Sequence, residues 1–229
     1  MKSTLVISDV HGSLCWKDAL ANRCPGAKVV FLGDYFDRRG RGPFSSDDAE
    51  NFLEICDYAS RNPDTILLAG NHDYHYMTFA PSPAEPWGPR EDRIRKAVMS
   101  RLDMLNMVYI DRSGPKPAIF SHGGLTQTFL DLHGLNSPEE VNVLWISRPE
   151  SFDWIARDPI SGEYSALDGD NIWQSPIWAR DMALLEDGVP GYDQIVGHTP
   201  VREPEWFKTA RDDSFLLTCT LDETIIRLP

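Results

Sequence analysis

A chain of 229 residues, 41% hydrophobic and 25% charged, is long enough to bury a sizeable core and fits one domain over residues 1–229. Its 22 basic and 35 acidic side chains leave a net charge of −13, which argues against general binding to nucleic acid or to anionic membranes. No apolar run approaches the length of a membrane span.

A first strand is predicted at Thr4–Ser8. A candidate ligand follows it at Asp9, leaving no room for a cleaved signal peptide, so the expected location is cytoplasmic. A helix from about Ser13 to Asn22 and a strand at Lys28–Leu32 come next. Ser45 and Ser46 are placed to cap a helix reaching about Ser60, with Asp47, Asp48 and Glu50 in its first turn. A strand at Thr65–Ala69 completes a β-α-β-α-β alternation, which predicts parallel pairing through helical crossovers. Pro81, Pro83, Pro86 and Pro89 mark residues 79–89 as a loop or cap.

A helix from about Arg90 to Leu105 follows, and Arg90, Arg93, Arg95, Lys96 and Arg101 read as its solvated face. Met107–Ile110 and Pro117–Ser121 read as strands joined by a turn around Gly114, and Thr126–Leu132 and Ser137–Ser147 as short helices. Residues 149–174 lack periodicity and read as a loop-rich insertion. Pro176–Leu185 reads as a helix with Pro in its first turn. Gln194–Val196 reads as a strand, and Phe215–Thr220 with Glu223–Leu228 as a terminal hairpin around Leu221-Asp222. The four cysteines, Cys15, Cys24, Cys56 and Cys219, have no metal-site or redox spacing and read as free thiols in a reducing compartment.

Five polar islands stand out against this background. They are Asp9-Val10-His11-Gly12, Gly33-Asp34-Tyr35-Phe36-Asp37-Arg38, Gly70-Asn71-His72-Asp73, Ser121-His122-Gly123-Gly124 and Gly197-His198-Thr199. Each follows a short apolar run, so oxygen and imidazole donors sit where strands end, the edge at which open α/β sheets bind ligands. Asp9 and His11 are two apart; on an extended segment both would face one side and could reach one ion. Read alone, the same residues would also make a surface turn. The combined Asp, Asn and His set suits a two-metal hydrolytic centre.

From Asp9 to about Val201 this order of islands resembles the calcineurin-like metallophosphoesterases. More narrowly it is similar to the branch holding the serine/threonine phosphoprotein phosphatases, the small phage phosphatases and the symmetrical diadenosine-tetraphosphate hydrolases. The resemblance implies an α/β fold, a two-sheet β-sandwich flanked by helices in four α/β/β/α layers. It also implies two divalent cations held by Asp9, His11, Asp34, Asn71, His122 and His198, with Asp34 bridging and Asn71, His122 and His198 on the second ion. Mixed oxygen and nitrogen donors suit Mn²⁺, Fe or Zn²⁺ without selecting among them, and Mn²⁺ is the expected ion.

By the same resemblance, His72 faces the leaving-group oxygen and Asp37 orients it. A carboxylate behind an imidazole fixes its tautomer and favours the protonated form. Arg38 matches a phosphate-binding arginine, since guanidinium grips phosphate oxygens in a fork. A second such arginine is expected at Arg180, two residues after Trp178, with Arg148 as its rival. His75 and His133 receive no functional role.

The chain departs from the wider family at Pro200, where many members carry a second histidine; the narrower branch lacks it too. Asp73 stands where that branch has Glu, and Phe36 where it has a small aliphatic residue. The implied activity is metal-dependent phosphoester hydrolysis by a phosphomonoesterase or protein phosphatase, with a phosphorylated protein or small phosphoester as partner. The alternatives are a dinucleoside polyphosphate hydrolase, diadenosine tetraphosphate being the type substrate, and a scaffold that has lost catalysis. The sequence ties no aromatic–basic cluster to the motifs, so phosphomonoesters are the expected better substrates.

Overall fold

The computed structural model describes residues 3–39, 42–80, 88–164, 169–220 and 225–228. The turn expected at Leu221-Asp222 and most of the proline-rich stretch, residues 81–87, lie outside them.

The first half alternates strand and helix: β1 (Thr4–Ile7), α1 (Cys15–Ala21), β2 (Lys28–Phe31), α2 (Asp48–Arg61), β3 (Thr65–Leu68) and α3 (Asn71–Tyr74). α4 (Pro89–Met99) follows, starting with Pro at a position where the missing N–H costs nothing. It stops at Met99 rather than running to Leu105; a 3₁₀ turn at Leu102–Met104 leads into β4 (Leu105–Asn106), which joins the sheet. Then come β5 (Val108–Asp111), β6 (Ala118–Ser121), α5 (Gln127–His133), α6 (Glu140–Ser147), α7 (Asp181–Asp187), β7 (Asp193–Val196), β8 (Glu205–Lys208), β9 (Ser214–Leu217) and β10 (Ile225–Leu228).

Two five-stranded sheets result, in the orders β10-β1-β2-β3-β4 and β5-β6-β7-β9-β8. Alternation along the strands explains their stacking. Val6, Val30, Leu32 and Leu68 of the first sheet meet Phe120, Ile195 and Leu216 of the second. The residues between them, Leu5, Ile7, Val29, Phe31 and Leu67, pack with Trp16 and Leu20 of α1 and Phe52 and Ile55 of α2. Leu184 of α7 joins Val196, Phe215 and Leu217 on the second sheet. Each such large side chain contributes about 1.5–3 kcal/mol by leaving water.

The terminal hairpin does not form. β9 pairs with β7 and β8, whereas β10 crosses to the other sheet and lies antiparallel to β1. Two consecutive apolar runs do not specify each other as partners; here β1 offers an edge that β10 closes. β8 has no counterpart among the sequence-based expectations. It is an edge strand, largely exposed, with Trp206 53% exposed, so it carries little burial pattern to read. The cap of α2 also shifts. Asp47, not Ser45 or Ser46, accepts from Ala49 N at 3.0 Å and Glu50 N at 3.2 Å.

Candidate metal centre

Strand register brings the islands together. Ile7 pairs with Phe31 and Phe31 with Leu67, so the segments after β1, β2 and β3 leave one sheet at the same edge. In the second sheet Ser121 pairs with Val196, which sets His122 beside His198, their ring centroids 5.1 Å apart.

The chain bends sharply there. Asp9 (φ 45°), His11 (φ 43°), Asp34 (φ 54°), Asp37 (φ 62°) and His198 (φ 59°) all adopt the left-handed region. That costs each about 1 kcal/mol or more and persists only where surrounding structure enforces it. Gly33 (φ 101°) packs its α-carbon against the Gly70 backbone, where a Cβ would overlap. The bends also revise the local picture of Asp9 and His11. The segment is not extended, so alternation does not apply; Asp9 turns toward the second sheet. Its carboxylate accepts from Ser8 Oγ and from His198 N, the latter at 3.2 Å.

The donors then gather around one carboxylate. Asp34 Oδ2 lies 3.6 Å from His11 Nε2 and 3.4 Å from His122 Nε2. Ligand atoms of Asp34, His11 and His72 lie within 4.8 Å of one another, as do those of Asp34, Asp9 and His122. Asp34 is common to both groups. Asn71 Oδ1 adds an oxygen 3.0 Å from His122 Nε2. Asp9, His11, Asp34, Asn71 and His122 are buried, and His198 is half-buried. Imidazole orientation fits metal ligation as well. His11 Nδ1 faces Phe36 O at 2.8 Å and His122 Nδ1 faces Leu32 O at 2.9 Å, which directs both Nε2 atoms at Asp34. Buried carboxylates and imidazoles so close are costly unless a proton or a cation joins them. The residues therefore fit a divalent pair.

The electrostatics show what a cation would displace. Burial pushes the Asp34 carboxyl up, but His122, then His72 and His11, outweigh it and hold it well below the usual carboxylate range. Burial would lower the His122 imidazole, but Asp34 lifts it to about 9. Both His122 nitrogens face oxygen acceptors, the arrangement of an imidazolium. Burial, then the charges of His122 and Arg180, hold His198 well below its ordinary value. Below about pH 9, then, a cation reaching His122 must expel its Nε2 proton. Binding at pH 7 should release protons, and affinity should rise with pH toward that value. Calorimetry in buffers of different ionisation enthalpy measures this; the same heat in every buffer would contradict it.

Beside this cluster, His72 Nδ1 meets Asp37 Oδ2 at 2.8 Å. Burial would lower the imidazole, but the bond to Asp37 and the charge of Asp34 raise it. The His72 ring stands edge-on to His11, 5.0 Å between centroids. Arg38 is 44% exposed along its side chain; its Nε donates to Asp48 Oδ1 at 3.1 Å and its Nη2 to Ser45 O at 2.5 Å.

Of the two downstream arginines, only Arg180 comes near. Its segment is tied to the His122 island through Gly123 N→Pro176 O at 2.6 Å, and Trp178 stands perpendicular to His198 with 6.3 Å between rings. Arg148 instead acts on His133, whose ring packs on Phe129. His75 packs against Trp178 at 5.5 Å.

Several contributors escaped the sequence reading. Asp73 is fully buried and accepts from Gly70 N (2.8 Å), Asp34 N (2.8 Å) and Tyr35 N (2.7 Å), clasping two islands together. Its signal was its place three residues after Gly70, the position that reaches back to a helix start. Burial and the charge of Asp34 raise it to about 7. Arg90 and Arg93 do lie on the exposed face of α4, but they are paired there, Arg90 with Asp48 at 2.6 Å and Arg93 with Asp47. Trp154, from the stretch without periodicity, packs on Trp178 at 5.5 Å, so an aromatic cluster forms beside His198.

A family model for calcineurin-like phosphoesterase matches residues 2–217. The fold is similar to that of a mutant cold-active protein tyrosine phosphatase, at TM-score 0.57 and 15% identity, covering 95% of this chain and 70% of that one. It is similar to a protein serine/threonine phosphatase from Saccharomyces cerevisiae at TM-score 0.52 and 13% identity, covering 95% and 67%. A metallophosphoesterase from Sphaerobacter thermophilus aligns at TM-score 0.45 and 15% identity, covering 99% and 83%. For the two phosphatases, at such identities the likeness is one of fold. Comparison with curated proteins gives no match. Among the described residues no helix is long and apolar enough to cross a membrane.

Proposed function

The chain belongs to the calcineurin-like phosphoesterase family, a family of hydrolases, and on that premise we propose that it hydrolyses phosphomonoesters with two divalent cations. The observation that carries this reading is the buried Asp34 carboxylate shared by two groups of donors. Asp9, His11, Asp34, Asn71, His122 and His198 would hold the ions. When bound, a divalent pair supplies Lewis-acid polarisation of phosphoryl oxygens and lowers the pKa of water. Mn²⁺ is the first choice, with Fe or Zn²⁺ as alternatives.

The protein's own groups do the rest. Arg38 and Arg180 hold the phosphoryl oxygens; Asp48 and Ser45 anchor Arg38 on one side. His72 gives the proton at Nε2 to the departing oxygen, while Nδ1 stays bonded to Asp37. Phosphoserine, phosphothreonine or phosphotyrosine in proteins, or a small phosphoester, would be the substrate. The intact His72–Asp37 pair argues against a scaffold that has lost catalysis.

Chelator-treated protein shown to be metal-free should not hydrolyse an aryl phosphate, and added Mn²⁺ should restore turnover. Full activity in the metal-free preparation would overturn the reading. A second reading, dinucleoside polyphosphate hydrolysis, gains from the Trp154–Trp178 pair, whose rings could take a nucleobase beside Arg180. Comparing kcat/KM for a phosphopeptide and diadenosine tetraphosphate at saturating Mn²⁺ separates the two.

A further inference from the structure

Asp37 is held from three directions. Its Oδ2 meets His72 Nδ1 at 2.8 Å, and its Oδ1 accepts from the Tyr76 hydroxyl at 2.6 Å. Arg90 Nη2 approaches the same Oδ1 at 3.8 Å. Tyr76 is 2% exposed and its ring packs edge-on to Phe36 at 5.4 Å, so the hydroxyl has little freedom to point elsewhere. Arg90 is fixed in turn: its Nη2 donates to Asp48 Oδ2 at 2.6 Å. Asp48 is 3% exposed, and its other oxygen accepts from Arg38 Nε at 3.1 Å.

A carboxylate with a single partner can rotate and present either oxygen. The Tyr76 hydroxyl bonded to Oδ1, with the Arg90 charge 3.8 Å from the same oxygen, leaves Oδ2 for the imidazole and favours one plane in which it is met. Asp37 has added need of such support, since its backbone sits in the left-handed region at φ 62°. We propose that Tyr76 and Arg90 are positioning residues that hold Asp37, and through it His72, in the geometry for protonating the leaving group, and that buried Asp48 couples this assembly to the phosphate-binding Arg38. This rests on the reading of His72 given above. The three residues come from the loop after α3, the first turn of α4 and the first turn of α2, so α2 and α4 set the aim of a proton donor at the tip of the first sheet.

The test uses Tyr76→Phe, which keeps the ring packing and deletes only the hydroxyl. In metal-loaded protein, kcat for a phosphoester with a poor leaving group should fall by roughly tenfold or more, the scale of a lost charge-assisted bond. KM and metal content should hold. The loss should shrink for an activated aryl ester. In an Asp37→Asn background the same change should add little, because its effect passes through Asp37. Arg90→Gln should follow the same pattern more weakly, and Arg90→Lys should recover part of it.

A role confined to packing would give equal losses on both esters that persist in the Asp37→Asn background, and that result overturns the proposal. If His72→Asn itself shows no leaving-group dependence, the proton-donor reading falls and this inference falls with it. If His72→Asn shows it and Tyr76→Phe does not, only this inference falls.

Discussion

In Asp34→Asn protein, bound metal should drop from two ions per chain to at most one, and turnover should fall by at least about 10³-fold. Asp34 Oδ2 lies between His11 Nε2 and His122 Nε2, at 3.6 and 3.4 Å, so one atom faces both halves of the donor set. An outer donor such as His11 or His198 serves one ion and should cost less when replaced. The change is nearly isosteric, and the amide oxygen can still accept from His72 N, a bond of 2.9 Å in the native chain. Fold and loop geometry should therefore survive, which isolates the lost charge. Without that charge His122 loses its main partner, and its imidazole should fall from about 9 toward or below its ordinary value. Elemental analysis and kcat measured on one preparation decide the matter. Two ions with normal turnover would mean the shared ligand lies elsewhere.

His72→Asn should keep both ions and slow hydrolysis of esters with poor leaving groups by roughly 10²–10⁴-fold. Its imidazole is set by Asp37 at 2.8 Å, and the Asp37 bond and Asp34 charge favour its protonated form despite burial. That is the state a proton donor requires. An alkoxide departs badly without the proton, whereas an activated phenolate hardly needs it, so the loss should shrink on the aryl ester. Equal losses on the two substrates would contradict the role. Asp37→Asn should repeat the pattern in milder form, since the imidazole remains but its tautomer and aim are no longer enforced. His72 also lies in one donor group with His11 and Asp34. Metal analysis of the variant is therefore part of the test; loss of an ion would make His72 a ligand instead.

The apolar runs before each island, their glycines and their order carried the strands and the crossovers, whereas the two-sheet architecture was implied only by the family resemblance. Runs such as Leu5-Val6-Ile7 and Val29-Val30-Phe31-Leu32 are buried on both faces, and local composition reports that directly. Composition reports less where burial is slight, which is why exposed β8 was missed. It also says nothing about which strand pairs with which, and the expected β9–β10 hairpin failed for that reason.

Donor chemistry was thus a property of the sequence, because residue types and their place behind a strand are local facts. Their geometry was not. Asp34 meets Asp73 across 39 positions, and Asp9 meets His198 across 189, through contacts that exist only once strand register has been chosen. The left-handed turns at Asp9, His11 and Asp34 decide which donors face one another, and such turns are imposed by surrounding packing against local preference. Arg90 shows the same division. In the sequence it is one of several basic residues on a helix, and only the packing of α4 on α2 gives it Asp48 as a partner and Asp37 as a neighbour.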